Sequence, residues 1–80
     1  MKRDDVYKLI DGERDYQDKK WGASKETVDR FAAHISEYSY NLLNTQDKLE
    51  VIREIAALCV ACMEQHGAPD RYMGLQADTF

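Results

Sequence analysis

Ile55-Ala56-Ala57-Leu58-Cys59-Val60-Ala61-Cys62-Met63 is an uncharged run of nine residues whose reading organises the rest of the chain. Ala dominates it and no apolar–polar alternation is present, so the run is helical rather than extended. At about 100° per residue its side chains point in every direction around the axis. A helix that is apolar on all sides must be covered on all sides. Bilayer crossing needs about 20 apolar residues, so here the cover has to be protein. Reading outward, Gly67 stands where a helix C-terminus takes glycine, and Pro69 prevents continuation. Upstream, the helix opens between Thr45 and Asp47, which predicts one element from there to His66.

Two more helices precede it. The first is predicted from about Asp4 to Lys20, with Asp4 and Asp5 favoured by the dipole at its start and Gly22 just past its end. The second runs from Lys25 or Thr27 to Leu43, with Val28, Phe31, Ile35, Tyr38 and Leu42 on one stripe and Arg30, His34, Glu37 and Asn41 opposite. Residues 1–69 thus form one helical domain. Residues 70–80 carry Tyr72, Met73, Leu75 and Phe80 without helical period and read as a tail that docks on a neighbour. Two amphipathic helices cannot enclose a third that is apolar all round, and chains this short bury only about 60% of their unfolded surface. The expected fold is therefore all-α: a three-helix protomer that completes a helical bundle by homo-oligomerisation, with Ala56, Ala57 and Ala61 permitting close helix approach.

Composition narrows the partners. Fifteen acidic residues against 11 basic give a net charge of −4, and the basic residues are scattered among acids rather than clustered for phosphate backbones. Neither nucleic-acid binding nor membrane insertion is expected. No charged and then apolar leader opens the chain, so a cytoplasmic location is expected. Cys59 and Cys62 have the spacing of a zinc or redox pair. A second Cys pair is lacking, and the two lie midway along an apolar helix, so they read as packing residues.

Polar residues in unexpected places supply the candidate site. On the first helix Val6, Leu9, Ile10 and Trp21 mark an inward stripe, yet Glu13, Gln17 and Lys20 lie in the same arc. Polar groups directed inward must be paired, line a pocket, or lie where the stripe reaches the molecular edge. As a pocket, Lys20 offers a charge for phosphate, Trp21 a face for a base, and Glu13 with Gln17 hydrogen-bonding groups for a base edge. On the third helix Glu50 and Glu54 are one turn apart, a spacing that suits a shared hard cation such as Mg²⁺ and equally an ordinary charged surface. His34 and Glu37, with Asn41 a turn later, form a polar edge able to meet them from the second helix, or a solvated face. Arg53 has two readings, a phosphate contact or an ion pair with Glu50 or Asp47. No catalytic residue is assigned.

Three segments together resemble a known family: Val6-Tyr7-x-Leu9-Ile10-x-Gly12-Glu13-Arg14-Asp15-Tyr16-Gln17-Asp18-x-Lys20-Trp21-Gly22, then His34-x-x-Glu37, then Ile52 to Gly67. Over roughly residues 1–69 the chain is similar to the short MazG-like proteins common in bacteriophage genomes. The resemblance implies an all-α dimer or dimer of dimers that hydrolyses nucleoside triphosphates to monophosphate and pyrophosphate. It also implies Mg²⁺ held by a Glu-rich helix facing a Glu-x-x-Asp helix. Glu37 then matches part of the first motif and Glu54 the Glu of the second, with Glu50 a substitute ligand one turn earlier. The Asp position falls on Ala57, and His34 replaces a carboxylate. Removing a ligand weakens a site that holds Mg²⁺ against phosphates and activates water. The resemblance thus implies a nucleotide-binding homo-oligomer, weakly or non-catalytic, in the host cytoplasm if phage-encoded and suited to sequestering nucleotide signals of host defence. An active Mg²⁺-dependent pyrophosphohydrolase, or an oligomer that grips a host protein, are the other readings.

Overall fold

The computed structural model describes residues 1–22 and 24–71. It contains three helices, α1 (Arg3–Trp21), α2 (Val28–Leu42) and α3 (Lys48–His66), and no strand among the described residues. The all-α expectation holds, with each boundary within a few residues of its sequence reading. Tyr72, Met73, Leu75 and Phe80 lie outside the described residues.

Local chemistry accounts for the ends. Gly22 and Gly67 adopt φ of 75° and 88°, a region that favours residues without Cβ. Their amides donate to Asp18 O at 2.9 Å and Met63 O at 2.8 Å, closing α1 and α3. Thr27 caps α2, its hydroxyl accepting from Arg30 N at 3.1 Å. Asp4 and Asp5 sit in the first turn of α1, where their charge complements the dipole, while Lys2 occupies the cap position without a side-chain bond.

α3 is the centre of the protomer. α1 and α2 each pack on it and not on one another. Ala57, Leu58 and Ala61 of α3 are buried together with Phe31 of α2, whose ring meets His66 edge-on with centroids 6.3 Å apart. Ala57 is fully enclosed at 0% exposure, as close helix approach requires. The connection between α1 and α2 is tied to the end of α3. Gln65 accepts from Glu26 N and donates to Ser24 O, while His66 Nε2 donates to Glu26 O at 2.6 Å.

The first helix departs from its expected inward stripe. Ile10 is half-buried, but Val6, Leu9 and Trp21 are exposed. The side of α1 that meets α3 is formed instead by Ile10, Glu13, Arg14 and Gln17, with Arg14 and Gln17 buried. Among the described residues α2 stands clear of α1 and Leu9 remains half exposed. On α2, Phe31 is buried and Ile35, Tyr38 and Leu42 are half-buried, but Val28 is exposed. His34, assigned to the polar side, is half-buried. Cys59 and Cys62 are free thiols and only half-buried, so their packing role within one chain is partial.

Candidate functional site

Arg14 explains how polar residues come to face α3. Its guanidinium donates from Nε to Glu64 Oε1 at 2.7 Å and from Nη2 to Asp18 Oδ1 at 2.9 Å, joining α1 to α3. The Glu64 bond raises the Arg14 pKa above its ordinary value against the opposing effect of burial, so the cation persists at every working pH. Gln17, 3% exposed, lies beside it and donates from Nε2 to the Glu54 carbonyl at 3.3 Å. Among the described residues no buried side-chain polar atom lacks a partner. Sequence reasoning passed over Arg14 and Glu64. The signal was present, since Arg14 is one turn beyond Ile10 and one turn short of Gln17 and Asp18.

Next to this ion pair a cleft of about 310 Å³ opens, walled by Glu13, Gln17, Lys20 and Trp21 of α1 and by Glu50, Arg53 and Glu54 of α3. Tyr16 and Tyr38 complete it. Arg53 bridges its walls, with Nε 3.0 Å from Glu13 Oε1 and Nη2 3.6 Å from Glu50 Oε1. The expected Arg53–Glu50 pair is therefore present, with Glu13 as the shorter partner. Glu54 makes no ion pair among the described residues, while both neighbouring carboxylates share Arg53. Burial, then the charges of Glu13 and Glu50, push the Glu54 carboxyl above the usual carboxylate range, against the lowering effect of Arg53 and Lys20. Tyr38 is raised by burial first and then by Glu54, Glu13 and Glu37. The Lys20 ammonium lies 5.5 Å from the Trp21 ring centroid and 5.9 Å from that of Tyr16, so one face of the indole is already occupied by a cation.

The raised Glu54 carboxyl has a consequence for stability. A carboxyl whose folded pKa exceeds its unfolded value stabilises the fold while protonated, and that contribution is lost as pH rises through the folded pKa. Thermal midpoints of the native chain and of Glu54→Gln are therefore expected to converge in acid and separate toward neutral pH, with Glu54→Gln the more stable. Parallel curves from acid to pH 8 would show that Glu54 titrates normally.

A second, larger opening of about 560 Å³ lies between α1 and α2 over α3. Leu58 and Ala61 form its floor, Trp21, Phe31 and Tyr38 line it, and Arg14, Glu26 and His34 border it. It shares Gln17, Trp21 and Tyr38 with the cleft. His34 belongs here, its Nε2 3.4 Å from Glu26 Oε2, and does not reach the cleft. Glu37 is exposed on α2 and lines neither opening. Of the sequence-derived candidates, Glu13, Gln17, Lys20, Trp21, Glu50, Arg53 and Glu54 therefore come together, and His34 and Glu37 stand apart. Among the described residues no three His, Cys, Asp or Glu side chains converge as a ready-made metal cage. Among the described residues no helix is long and apolar enough to cross a membrane. Comparison with known proteins yields no match, whether to a family model, a curated protein or a solved structure.

Proposed function

We propose that this chain is a MazG-like nucleotide-binding protein that works as a homo-oligomer and takes the phosphate end of its ligand into the α1–α3 cleft, with Mg²⁺. The observation that carries this reading is the shared cleft itself. Lys20 and Arg53 offer cations for phosphate, Gln17 and Glu13 hydrogen-bonding groups, and Trp21 an aromatic surface, all within one opening. Three carboxylates there face two cations, so a phosphate chain entering alone meets net repulsion. A divalent cation held by Glu50 and Glu54 would reverse that sign, and the Glu54 carboxyl, without an ion pair among the described residues, is the group it would relieve most. When bound, Mg²⁺ would supply charge neutralisation for phosphate. Glu50 and Glu54 would hold it, and Lys20 would orient the anion. Ala57 supplies no carboxylate to complete the set, which favours retention of nucleotide over rapid hydrolysis, a behaviour suited to sequestering a nucleotide signal.

The assay is incubation with a nucleotide panel and Mg²⁺, followed by analysis of free and heat-released nucleotide. Intact nucleotide released by heat supports retention, and free monophosphate with pyrophosphate indicates hydrolysis. Indifference to the whole panel would remove the nucleotide reading in favour of a helical oligomer that binds protein. Within the retention reading, Lys20→Ala is expected to weaken binding by about tenfold, the equivalent of ~1.4 kcal/mol. Its thermal midpoint should move by less than about 4 °C, as for an exposed substitution worth under ~0.5 kcal/mol. Trp21→Ala should lower both. Calorimetric titration that finds Lys20→Ala binding as tightly as the parent would move the phosphate to the His34 and Arg14 opening.

A further inference from the structure

Cys59, Cys62 and Met63 place three sulfur atoms close together on α3, and none of them lines the cleft or the larger opening. The chain has two cysteines, both free and half-buried, and Met63 is 44% exposed. At about 100° per residue, positions i, i+3 and i+4 fall within one arc of roughly 100°. That arc lies on the side of α3 opposite the buried Ala57 and Ala61. We propose that it chelates a soft monovalent cation, copper(I), through both thiolates and the Met63 thioether.

Spacing decides between the two things a pair of thiols can do. Residues three apart on a helix have Cβ atoms about 5–6 Å apart. A disulfide needs about 3.5–4.5 Å, so direct oxidation of the pair would require α3 to distort. A metal between the sulfurs relaxes that demand. Two metal–sulfur bonds of about 2.3 Å let the sulfurs stand up to about 4.6 Å apart, against the ~2.05 Å of an S–S bond. The continuous helix Lys48–His66 therefore suits a bridging ion and resists a disulfide. Ligand softness then selects the ion. Thiolate with thioether favours copper(I), whereas structural zinc takes four ligands of thiolate, imidazole or carboxylate type. No third His, Cys, Asp or Glu joins the pair among the described residues. His66 falls in the same arc, but its Nε2 is committed to the Glu26 carbonyl at 2.6 Å. Glu50 and Glu54 line the cleft with α1, so hard and soft cations are sorted to different sides of one helix. The chelate depends only on side-chain directions along α3. On binding, each thiol gives up its proton to solvent.

The test is a titration of the reduced, full-length chain with copper(I) under anaerobic conditions, in competition with a chromogenic copper(I) chelator. Ultraviolet thiolate-to-copper charge transfer is the direct signal, and circular dichroism checks that each variant stays helical. One ion per chain is expected. Cys59→Ser and Cys62→Ser should each weaken binding by at least about 100-fold, the upper end of what losing an outer-shell partner costs, and Met63→Leu by about tenfold. A chain with Cys62→Ser and Val60→Cys keeps two thiols but sets them on neighbouring residues, which do not share a face. It should bind no better than Cys62→Ser alone. Recovery of parent affinity in that chain, or undiminished affinity in Cys62→Ser, would reduce the site to independent thiols and overturn the proposal. One ion per two chains would mark a bridge between molecules, and preferential uptake of zinc in direct competition would mark a different site; either result would overturn it too.

Discussion

An Ala57→Arg chain is expected to lose its cooperative unfolding transition at room temperature. Ala57 has no exposed surface and lies where α1 and α2 converge on α3. A long cationic side chain placed there either displaces a neighbouring helix or remains buried without a partner, and an unpaired buried charge costs several kcal/mol. Overpacking adds about 1–3 kcal/mol. Small domains are stable by only about 5–15 kcal/mol, and this one buries no other large aliphatic side chain besides Leu58 among its described residues. Far-ultraviolet circular dichroism with a urea titration is the measurement. A sigmoidal transition with a midpoint near the parent's would mean that α3 is not the structural centre. Ala57→Ser, which adds one small polar atom, should keep the transition and separate lost packing from lost helix propensity.

The second large effect is expected at Glu54. Glu54→Gln should lower the affinity for Mg²⁺-nucleotide by about 100-fold, or ~2.7 kcal/mol, while raising stability at neutral pH. The opposite signs have one cause. The carboxylate lies partly buried among Glu13 and Glu50 without an ion pair of its own, which disfavours its charged form in the free protein. The same exposure to like charge makes a divalent cation its strongest available partner. Mg²⁺ binding is accordingly expected to release a proton in mildly acidic buffer, and Glu54→Gln should abolish that release. Isothermal titration in buffers of different ionisation enthalpy reads both quantities. Unchanged Mg²⁺-dependent affinity in Glu54→Gln would remove Glu54 from the ligand set, whatever happens to stability.

These two residues show how differently the chain discloses its features. Ala57 was legible as interior because the run from Ile55 to Met63 has no polar side to turn outward. Glu54 was legible only as one of two carboxylates a turn apart, equally suited to metal or to solvent. That it has no ion pair among the described residues depends on Arg53 turning to Glu13 on another helix, a choice no local pattern specifies. His34 and Glu37 illustrate the reverse. Helical spacing grouped them with the α3 acids, but α2 meets α3 through Phe31, which leaves Glu37 in solvent and carries His34 to Glu26.

What the sequence by itself determined was the all-α class, the three helices and their ends. These are local matters of periodicity, of Gly22 and Gly67 at positive φ, and of Thr27 as a cap. It also singled out Glu13, Gln17 and Lys20 as polar interruptions of an apolar arc, and these three line one cleft. Only the tertiary structure decided which side of α1 is covered. Val6 and Leu9 have the hydrophobicity for the interior, yet Arg14 and Gln17 occupy it, held by Glu64 and the Glu54 carbonyl across the helix contact. Hydrophobicity is a property of each side chain alone, whereas a buried guanidinium is tolerated only where a carboxylate from a distant part of the chain arrives to pair with it. That pairing exists only once α1 and α3 have docked.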